Sequence, residues 1–206
     1  MDILVIGTGG LAREFSDWFA SKVNIIGYSS QSDSEHKMFN MRGKLFTDAV
    51  TPDLIGTKFC VMAIGRPKLK RDIYEKYVRN GFVFPSLVHE SSIVSASANL
   101  ESGVIISPKC VVGLGVHLGA GTYLNFGVNI GHESVIGDFS HVNPGANIAG
   151  ECKVGSQVLV GSGSTVVEKK QLGDLAVVAS GSVVFNSVRQ GATVMGNPAR
   201  RMKAFS

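Results

Sequence analysis

The amino-acid sequence predicts a small parallel α/β domain of the Rossmann type followed by an all-β solenoid, and three observations carry this prediction. Every sixth residue from Val94 to Val184 is Val, Leu or Ile, which makes a file of sixteen aliphatic residues. The residue after each of them is in most cases Gly, Ser, Asn or Ala. Ahead of this repeat, a short apolar run, a glycine-rich turn and an amphipathic segment indicate a strand followed by a helix.

The six-residue period defines the solenoid. It matches neither the helical repeat of 3.6 nor the strand repeat of two, but it matches a short strand and a sharp turn repeated many times. Each aliphatic side chain is predicted to point into a narrow interior, where β-branched residues pack well. The following Gly or Asn is predicted to form the corner. Three repeats make a triangular coil of about 18 residues, so the file predicts about five coils. An all-β sandwich is the alternative, but its strands would not share one period.

The N-terminal segment has the features of a phosphate-binding turn. Asp2–Gly7 is predicted to be a buried strand, and the next residues begin a helix. A glycine-rich turn lets an anion approach the backbone at the N-terminus of the helix. The third glycine of the dinucleotide fingerprint is replaced by Ala12, and no acidic residue ends a second strand near Ile26. The glycines predicted to contact the phosphate are Gly7, Gly9 and Gly10.

Further strands and helices alternate up to the start of the repeat, as a small parallel sheet requires. The segment 29–40 is polar and is predicted to be a loop. The domain boundary is placed after residue 87, so that residues 1–87 form a sugar- or nucleotide-binding domain and residues 88–206 the solenoid with a C-terminal tail. The other predicted elements are strands at Val23–Tyr28, Lys58–Gly65 and Phe82–Leu87 and a helix at Arg66–Asn80.

Composition excludes several classes of function. The net charge is +4, and no basic block suggests a nucleic-acid partner. No secretory signal or membrane span is visible, so a cytoplasmic protein is expected. The three cysteines form no CxxC pair, and neither a disulfide framework nor a zinc site is indicated. Cys110 and Cys152 each lie four places after an aliphatic residue of the file, and we expect both thiols to be packed in the interior.

Three motifs carry a resemblance to a known family: GTGGLAREF near the start, IGHESVIGDFSHVNPGANIAG in the centre and GNPARRM near the end. The repeat resembles the hexapeptide-repeat acyltransferases, whose fold is a left-handed parallel β-helix. With the α/β domain in front, the whole chain resembles the sialic acid and bacillosamine acetyltransferases (NeuD/PglD-like), which acetylate bacterial sugars from acetyl-CoA. Many members have a histidine where this chain has Leu11. Many end the second strand with an acidic pair, where this chain has Tyr28-Ser29-Ser30.

His132 is the candidate general base. A histidine with an ordinary pKa of about 6.5 can accept a proton from an attacking amine or hydroxyl at neutral pH. Acyl transfer from a thioester needs such a base and donors for the oxyanion, but no metal. Glu133 can orient the imidazole only if the backbone turns between them, because neighbouring strand residues point to opposite faces. Gly150 lies one coil above His132, where its N–H can bind the thioester carbonyl and a side chain would block approach. The resemblance also makes His132 the catalytic residue.

The resemblance implies further contacts with both substrates. His141 matches a family histidine that contacts the acetyl donor or the substrate. Asn125 is a turn asparagine by position and a substrate contact by resemblance. The residues implied to bind acetyl-CoA are Gly161 and Ser162 at the pantetheine arm, Asn197 and Pro198 near adenine, and Arg200 with Arg201 at the phosphates.

Three hypotheses for function follow. The first is acetyl-CoA-dependent N-acetylation of a nucleotide-linked amino sugar, and the second is O-acetylation of a sugar hydroxyl. The third is a structural β-helix that binds a ligand or partner without catalysis. Several hexapeptide solenoids, those of the carbonic anhydrase type, hold a metal with three histidines. The single Gly-His-Glu sequence argues against such a metal site, since three suitably spaced ligands are absent. The resemblance also implies a homotrimer with active sites between neighbouring copies.

Overall fold

The structure is a computed structural model that describes residues 1–47 and 49–202. The chain divides into two compact units. The first contains residues 1–65 and 69–85, and the second contains residues 66–68 and the chain from Ser86 onwards. None of the helices in the described part of the chain combines the length and the apolar character needed to cross a bilayer.

The first unit is built on a four-stranded parallel sheet with the strand order β3-β2-β1-β4. Its core combines apolar strand residues with aromatic residues, among them Tyr77, Phe82 and Phe84. Phe15 on the first helix and Phe19, the residue directly after that helix, are buried and stack with their ring centroids 4.7 Å apart. The strands are β1 (Asp2–Ile6), β2 (Asn24–Ser29), β3 (Lys44–Phe46) and β4 (Cys60–Met62). The helices are α1 (Gly10–Trp18), α2 (Ser34–Met38), α3 (Pro52–Ile55) and α4 (Pro67–Arg79).

The Rossmann-like sheet confirms the predicted fold class, with three local differences. The predicted loop contains α2, a five-residue helix with no buried residue, and such a helix leaves no apolar period in the sequence. The short elements β3 and α3 were not predicted. The strand predicted at Phe82–Leu87 is wrong as a continuous element: Val83 forms an isolated bridge with Phe59, and the strand that begins at Leu87 belongs to the second unit.

Lys70 is a buried cation that the sequence did not single out. Its side chain on α4 is 1% exposed, and burial lowers the pKa of the ammonium to about 7. Because the unfolded chain keeps this proton up to about pH 10, unfolding takes up a proton above pH 7, and stability should rise with pH. We expect a gain of about 1–2 kcal/mol between pH 7 and pH 8.5. Urea unfolding should show this slope in the native protein and lose it in Lys70→Met. An unchanged slope in the variant would contradict the assignment.

The second unit is a left-handed parallel β-helix of short strands. Successive strands enter three sheets in turn. Up to the last coil, each strand pairs in parallel with the strand 18 residues further on, as Asn99 does with His117 and His117 with Val135. The five-stranded sheet contains β7 (Asn99–Leu100), β10 (His117–Leu118), β13 (Val135–Ile136), β16 (Lys153–Val154) and β19 (Gln171–Leu172). The six-stranded sheet contains β6 (Ile93–Val94), β9 (Val111–Val112), β12 (Asn129–Ile130), β15 (Asn147–Ile148), β18 (Thr165–Val166) and β21 (Val183–Val184). The eight-stranded sheet contains β5 (Leu87–Val88), β8 (Ile105–Ile106), β11 (Tyr123–Leu124), β14 (His141–Val142), β17 (Leu159–Val160), β20 (Val177–Val178), β22 (Thr193–Gly196) and β23 (Ala199–Arg201).

The aliphatic file forms the interior, as predicted. Its members from Ile106 to Val184 are at most 3% exposed, and Val94 and Leu100 pack partly buried against them. Small residues four places further on fill the spaces between them. Cys110 and Cys152 are two of these residues, and both are buried free thiols.

The corners differ from the prediction in one respect. The left-handed conformation falls on the third residue after the aliphatic one, at glycines such as Gly115 and at non-glycine residues such as Glu133 and Glu151. The glycine directly after the aliphatic residue serves close packing instead. A Cβ on Gly131, for example, would lie 2.4 Å from the backbone nitrogen of Gly150 in the next coil. These glycines therefore set the distance between coils rather than the turn.

The C-terminal tail is also part of a sheet. The last coil is two residues shorter, because Val177 pairs with Thr193 rather than with a residue 18 positions away. β22 then turns back into β23 through Asn197 and Pro198, and the two strands pair antiparallel. The tail therefore leaves the six-residue repeat, because its last strand runs antiparallel to the one before it. It extends the eight-stranded sheet, where its backbone groups are paired.

Candidate active site

The corner turns of the β-helix form three edges, and two of them carry the predicted site residues. The histidine edge consists of the turns that follow the six-stranded sheet: residues 113–115, 131–133, 149–151 and 167–169. The asparagine edge consists of the turns that follow the eight-stranded sheet: residues 107–109, 125–127, 143–145, 161–163 and 179–181. The six-stranded sheet lies between these two edges.

His132 and Glu133 form a pair on the histidine edge. Glu133 has a φ of +57°, so the backbone turns between the two residues, and their side chains reach the same side. The Nδ1 atom of His132 lies 3.3 Å from Oε2 of Glu133. A carboxylate at Nδ1 holds the proton on that nitrogen and leaves Nε2 as the basic atom. Both side chains are more than half exposed, so a substrate can reach the imidazole.

Gly150 lies directly beside the His132 ring. A Cβ on Gly150 would be 2.5 Å from Nε2 and 2.7 Å from Cε1 of His132. A side chain at position 150 was predicted to block the approach of the substrate. In the structure, such a side chain would first displace the His132 imidazole. No hydrogen bond with the described residues occupies the Gly150 N–H, although the corresponding N–H of Ser156 is capped by Asp174 at 2.8 Å. A donor group and the base thus lie side by side.

Glu151 brings a third potential ligand to this edge. One donor atom from each of His132, Glu133 and Glu151 lies within 4.8 Å of the others. The prediction that three suitably spaced ligands are absent is therefore wrong, because Glu151 reaches the pair from the next coil. Lys169 lies 3.6 Å from the carboxylate of Glu151, and its ammonium opposes the binding of a cation there. The two carboxylates are therefore better suited to orienting the His132 ring than to binding a metal ion.

The residues assigned to acetyl-CoA lie mainly on the asparagine edge. Ser162 is exposed there, whereas Gly161 is buried. Gly161 packs closely against the next coil, where a Cβ on it would lie 2.4 Å from the Ser180 nitrogen. Asn125 is 6% exposed and uses its side-chain oxygen to accept the N–H of Phe126 at 2.8 Å, as a turn asparagine does. The β22–β23 turn lies at the same end of the eight-stranded sheet, with Asn197, Pro198 and Arg200 exposed. Within one chain, these residues are separated from His132 by the six-stranded sheet.

His141 is remote from His132. It lies in β14, within the eight-stranded sheet, and is 2% exposed. Its ring stacks on Tyr123 with a centroid distance of 4.9 Å and an interplanar angle of 11°. The two histidines therefore do not form one site within a single chain.

The glycine-rich turn of the first unit has two kinds of glycine. Gly7 needs to be glycine, because its φ is +113° and a Cβ would lie 2.7 Å from the carbonyl oxygen of Ala63. Gly9 and Gly10 have ordinary backbone angles, and a Cβ on either would meet only side-chain tips at 3.7 Å or more. No side chain caps α1 at Gly9. The N-terminus of α1 therefore lacks a side-chain cap, and an uncapped helix N-terminus suits an anion.

Glu35 is a polar residue of this region that the sequence analysis missed. It lies on α2, and its Oε2 accepts a hydrogen bond from the Thr8 hydroxyl at 3.1 Å. The Thr8 hydroxyl also lies 3.4 Å from that of Ser30, the residue after β2. A predicted loop gave no reason to place residue 35 near residue 8, so no sequence pattern could have identified this contact.

Solved structures with the same fold cover nearly the whole chain, although no protein-family model matches the sequence. The acetyltransferase domain of PglB from Neisseria gonorrhoeae FA1090 is 24% identical with a TM-score of 0.87, over 98% of this chain and 99% of that chain. The same domain in complex with acetyl coenzyme A is 24% identical with a TM-score of 0.85, over 98% of each chain. A variant of GDP-perosamine N-acetyltransferase from Caulobacter crescentus, in complex with CoA and GDP-perosamine, is 23% identical with a TM-score of 0.86, over 98% of this chain and 97% of that chain. The likeness shows that this chain has the fold of these proteins.

Proposed function

We propose that the protein is an acetyl-CoA-dependent N-acetyltransferase that acts on a nucleotide-linked amino sugar. The observation that carries the proposal is the His132–Glu133 pair, whose exposed imidazole lies beside the backbone of Gly150. Two structures of similar fold support the choice of reaction. The PglB acetyltransferase domain was solved with acetyl coenzyme A, and the GDP-perosamine N-acetyltransferase was solved with CoA and GDP-perosamine.

His132 and Gly150 have complementary roles in the proposed transfer. The sugar nitrogen attacks the thioester carbonyl carbon, and Nε2 of His132 accepts the proton that the nitrogen loses. The Gly150 N–H donates to the oxygen that becomes negative in the tetrahedral intermediate. The carbon–sulfur bond then breaks, and the proton on His132 passes to the departing thiolate. Glu133 holds Nδ1 and stabilises the imidazolium between these two steps.

The acceptor is proposed to bind through its nucleotide at the glycine-rich turn of the first unit. No side chain caps the N-terminus of α1 at Gly9, and helix N-termini bind phosphate groups. The GDP-perosamine N-acetyltransferase of similar fold was solved with GDP-perosamine, a nucleotide sugar that carries a diphosphate. The proposal does not depend on a histidine at position 11, where this chain has leucine.

A panel of nucleotide-linked amino sugars tests the reaction. The protein is incubated with acetyl-CoA and each sugar, and the release of free thiol is followed together with the mass of the acetylated product. We expect release with at least one amino sugar and none with its N-acetylated form, because that form has no free amine. Thiol release with hydroxyl sugars alone would assign the protein to O-acetylation instead. An excess of chelator should leave the rate unchanged, since the proposed chemistry needs no metal.

We further propose a cytoplasmic homotrimer. The six-stranded sheet presents exposed Ile93 and Val111 beside an asparagine ladder in which Asn129 donates to Asn147 at 2.8 Å. Packing between copies would bring the histidine edge of one copy to the asparagine edge of the next, and so complete the acetyl-CoA site. The three free cysteines are consistent with a reducing compartment.

Complementation between two inactive variants tests this arrangement. His132→Ala damages the histidine edge, and Ser162→Trp blocks the asparagine edge. If each site uses one edge from each of two copies, every mixed trimer should regain one active site, which at equal expression is about a quarter of all sites. The mixture is prepared by co-expression, and light scattering measures its mass. Activity no higher than that of either variant alone, or a mass near the monomer's 21.8 kDa, would contradict the arrangement.

A further inference from the structure

Glu35 occupies the place where a nucleotide-binding fold needs a carboxylate. In such folds, an acidic residue after the second strand accepts a hydrogen bond from the ribose 2′-hydroxyl of the bound nucleotide. Here β2 ends at Ser29, and Ser30 follows, so the strand itself supplies no acid. Glu35 reaches back from α2 to the same point, because its carboxylate contacts Thr8 in the turn after β1 and Thr8 in turn neighbours Ser30.

The helix that carries Glu35 is fixed on both sides. His36 contacts the Tyr28 ring edge-on at a centroid distance of 5.7 Å, and its Nε2 lies 3.2 Å from the carbonyl oxygen of Gly43. At the end of α2, the Phe39 ring lies 3.5 Å from the guanidinium carbon of Arg13 on α1. These contacts hold α2 beside the glycine-rich turn, so the Glu35 carboxylate is already in position before a ligand binds.

The carboxylate has capacity left for a ligand. A hydroxyl has one proton, and the Thr8 hydroxyl gives it to the nearer and charged acceptor, Oε2 of Glu35. Both carboxylate oxygens of Glu35 lie 3.7 Å from the position of a Cβ on Gly9, at the open side of the turn. Neither of them caps the α1 N-terminus. Glu35 therefore lies beside the proposed phosphate position without filling it, and its free lone pairs suit a hydroxyl donor rather than another anion.

We infer that Glu35 accepts a hydrogen bond from the ribose 2′-hydroxyl of the acceptor nucleotide, and that the protein therefore selects sugars linked to ribonucleotides over those linked to 2′-deoxyribonucleotides. The inference rests on the proposed function, since it concerns the nucleotide that this function requires. It adds the class of nucleotide and the residue that determines it.

Calorimetry with paired nucleotides tests the inference. The probes are UDP and GDP, each with its 2′-deoxy counterpart, because the base is not fixed by these contacts. The native protein should bind the ribonucleotide about 10- to 100-fold more tightly, as expected for a hydrogen bond to a charged group. Glu35→Ala should weaken the ribonucleotide to the level of the deoxynucleotide and leave the latter unchanged. Glu35→Gln should keep part of the preference, since its amide oxygen still accepts.

Glu14→Ala is the matched control, because Glu14 is an exposed glutamate on α1 and should leave both affinities unchanged. Equal weakening of both nucleotides by Glu35→Ala would mark a structural role and overturn the inference, while the proposed function would stand. Equal binding of each ribonucleotide and its 2′-deoxy counterpart by the native protein would also overturn the inference and leave the proposed function standing. If none of the four probes binds the native protein, the nucleotide part of the proposed function fails as well.

Discussion

Replacing His132 with alanine is expected to lower kcat by roughly 10²–10⁴, the usual contribution of a positioned general base. The affinity for acetyl-CoA should hardly change, because the residues proposed to hold the donor lie mainly on the asparagine edge and in the β22–β23 turn. Steady-state kinetics with the substrate found in the panel measures the first effect, and calorimetry with acetyl-CoA measures the second. Glu133→Ala should cause a smaller loss, because the imidazole remains but is no longer oriented.

His117 provides a matched control for this experiment. It is another histidine of the β-helix paired with a carboxylate, with its Nε2 at 3.1 Å from Oε1 of Glu101 and its Nδ1 at 3.0 Å from Nδ2 of Asn99. Both of its ring nitrogens are engaged, and it lies on the five-stranded sheet. His117→Ala should retain full activity. If His132→Ala keeps more than about a third of the native kcat, a far smaller loss than a general base implies, His132 is not the base.

Gly150→Ala is expected to lower kcat at least tenfold without lowering stability. The added methyl group would lie 2.5 Å from Nε2 of His132, and the exposed ring is free to move away from it. The backbone at Gly150 does not have a positive φ, so alanine fits it and reduces the entropy of the unfolded chain. Thermal unfolding should therefore show an equal or higher Tm, while the kinetics show the loss.

Gly191→Ala should have the opposite effect. Its φ is +65°, and nothing lies within 4 Å of an added Cβ, so the cost is purely conformational. We expect a loss of about 1–2 kcal/mol of stability and no loss of activity at moderate temperature.

If Gly150→Ala retained full activity, the ring position described for His132 would not be the catalytic one.

The β-helix was predictable because one rule repeats along its whole length. A six-residue period from Val94 to Val184 identifies the interior residues one by one, and the structure buries nearly all of them. The role of the corner glycines was not predictable from the period. A glycine such as Gly131 marks close approach between coils, while the left-handed turn falls two residues later on Glu133, and a pattern of small residues does not separate these two causes.

The site was predictable only in part, for a related reason. His132 and Gly150 follow from the 18-residue coil, but the contact between His132 and Glu133 depends on a positive φ at a glutamate, which propensities disfavour. The contact of Glu35 with Thr8 depends on α2, a helix without an apolar face. Short polar elements held by a few scattered contacts, such as that between Phe39 and Arg13, leave no periodic signal in a sequence.

The pH dependence of the His132→Ala variant tests the central claim most directly, because it reports both on the base and on the acceptor. An amine becomes a free nucleophile at high pH without help, so the ratio of native to variant kcat should fall steadily as the pH rises from 6.5 to 9.5. A sugar hydroxyl has too high a pKa for this rescue. A narrowing ratio is the result predicted for transfer to an amine with His132 as the base. A large ratio that stays constant across this range would contradict an amine acceptor, and a ratio near one throughout would contradict His132 as the base.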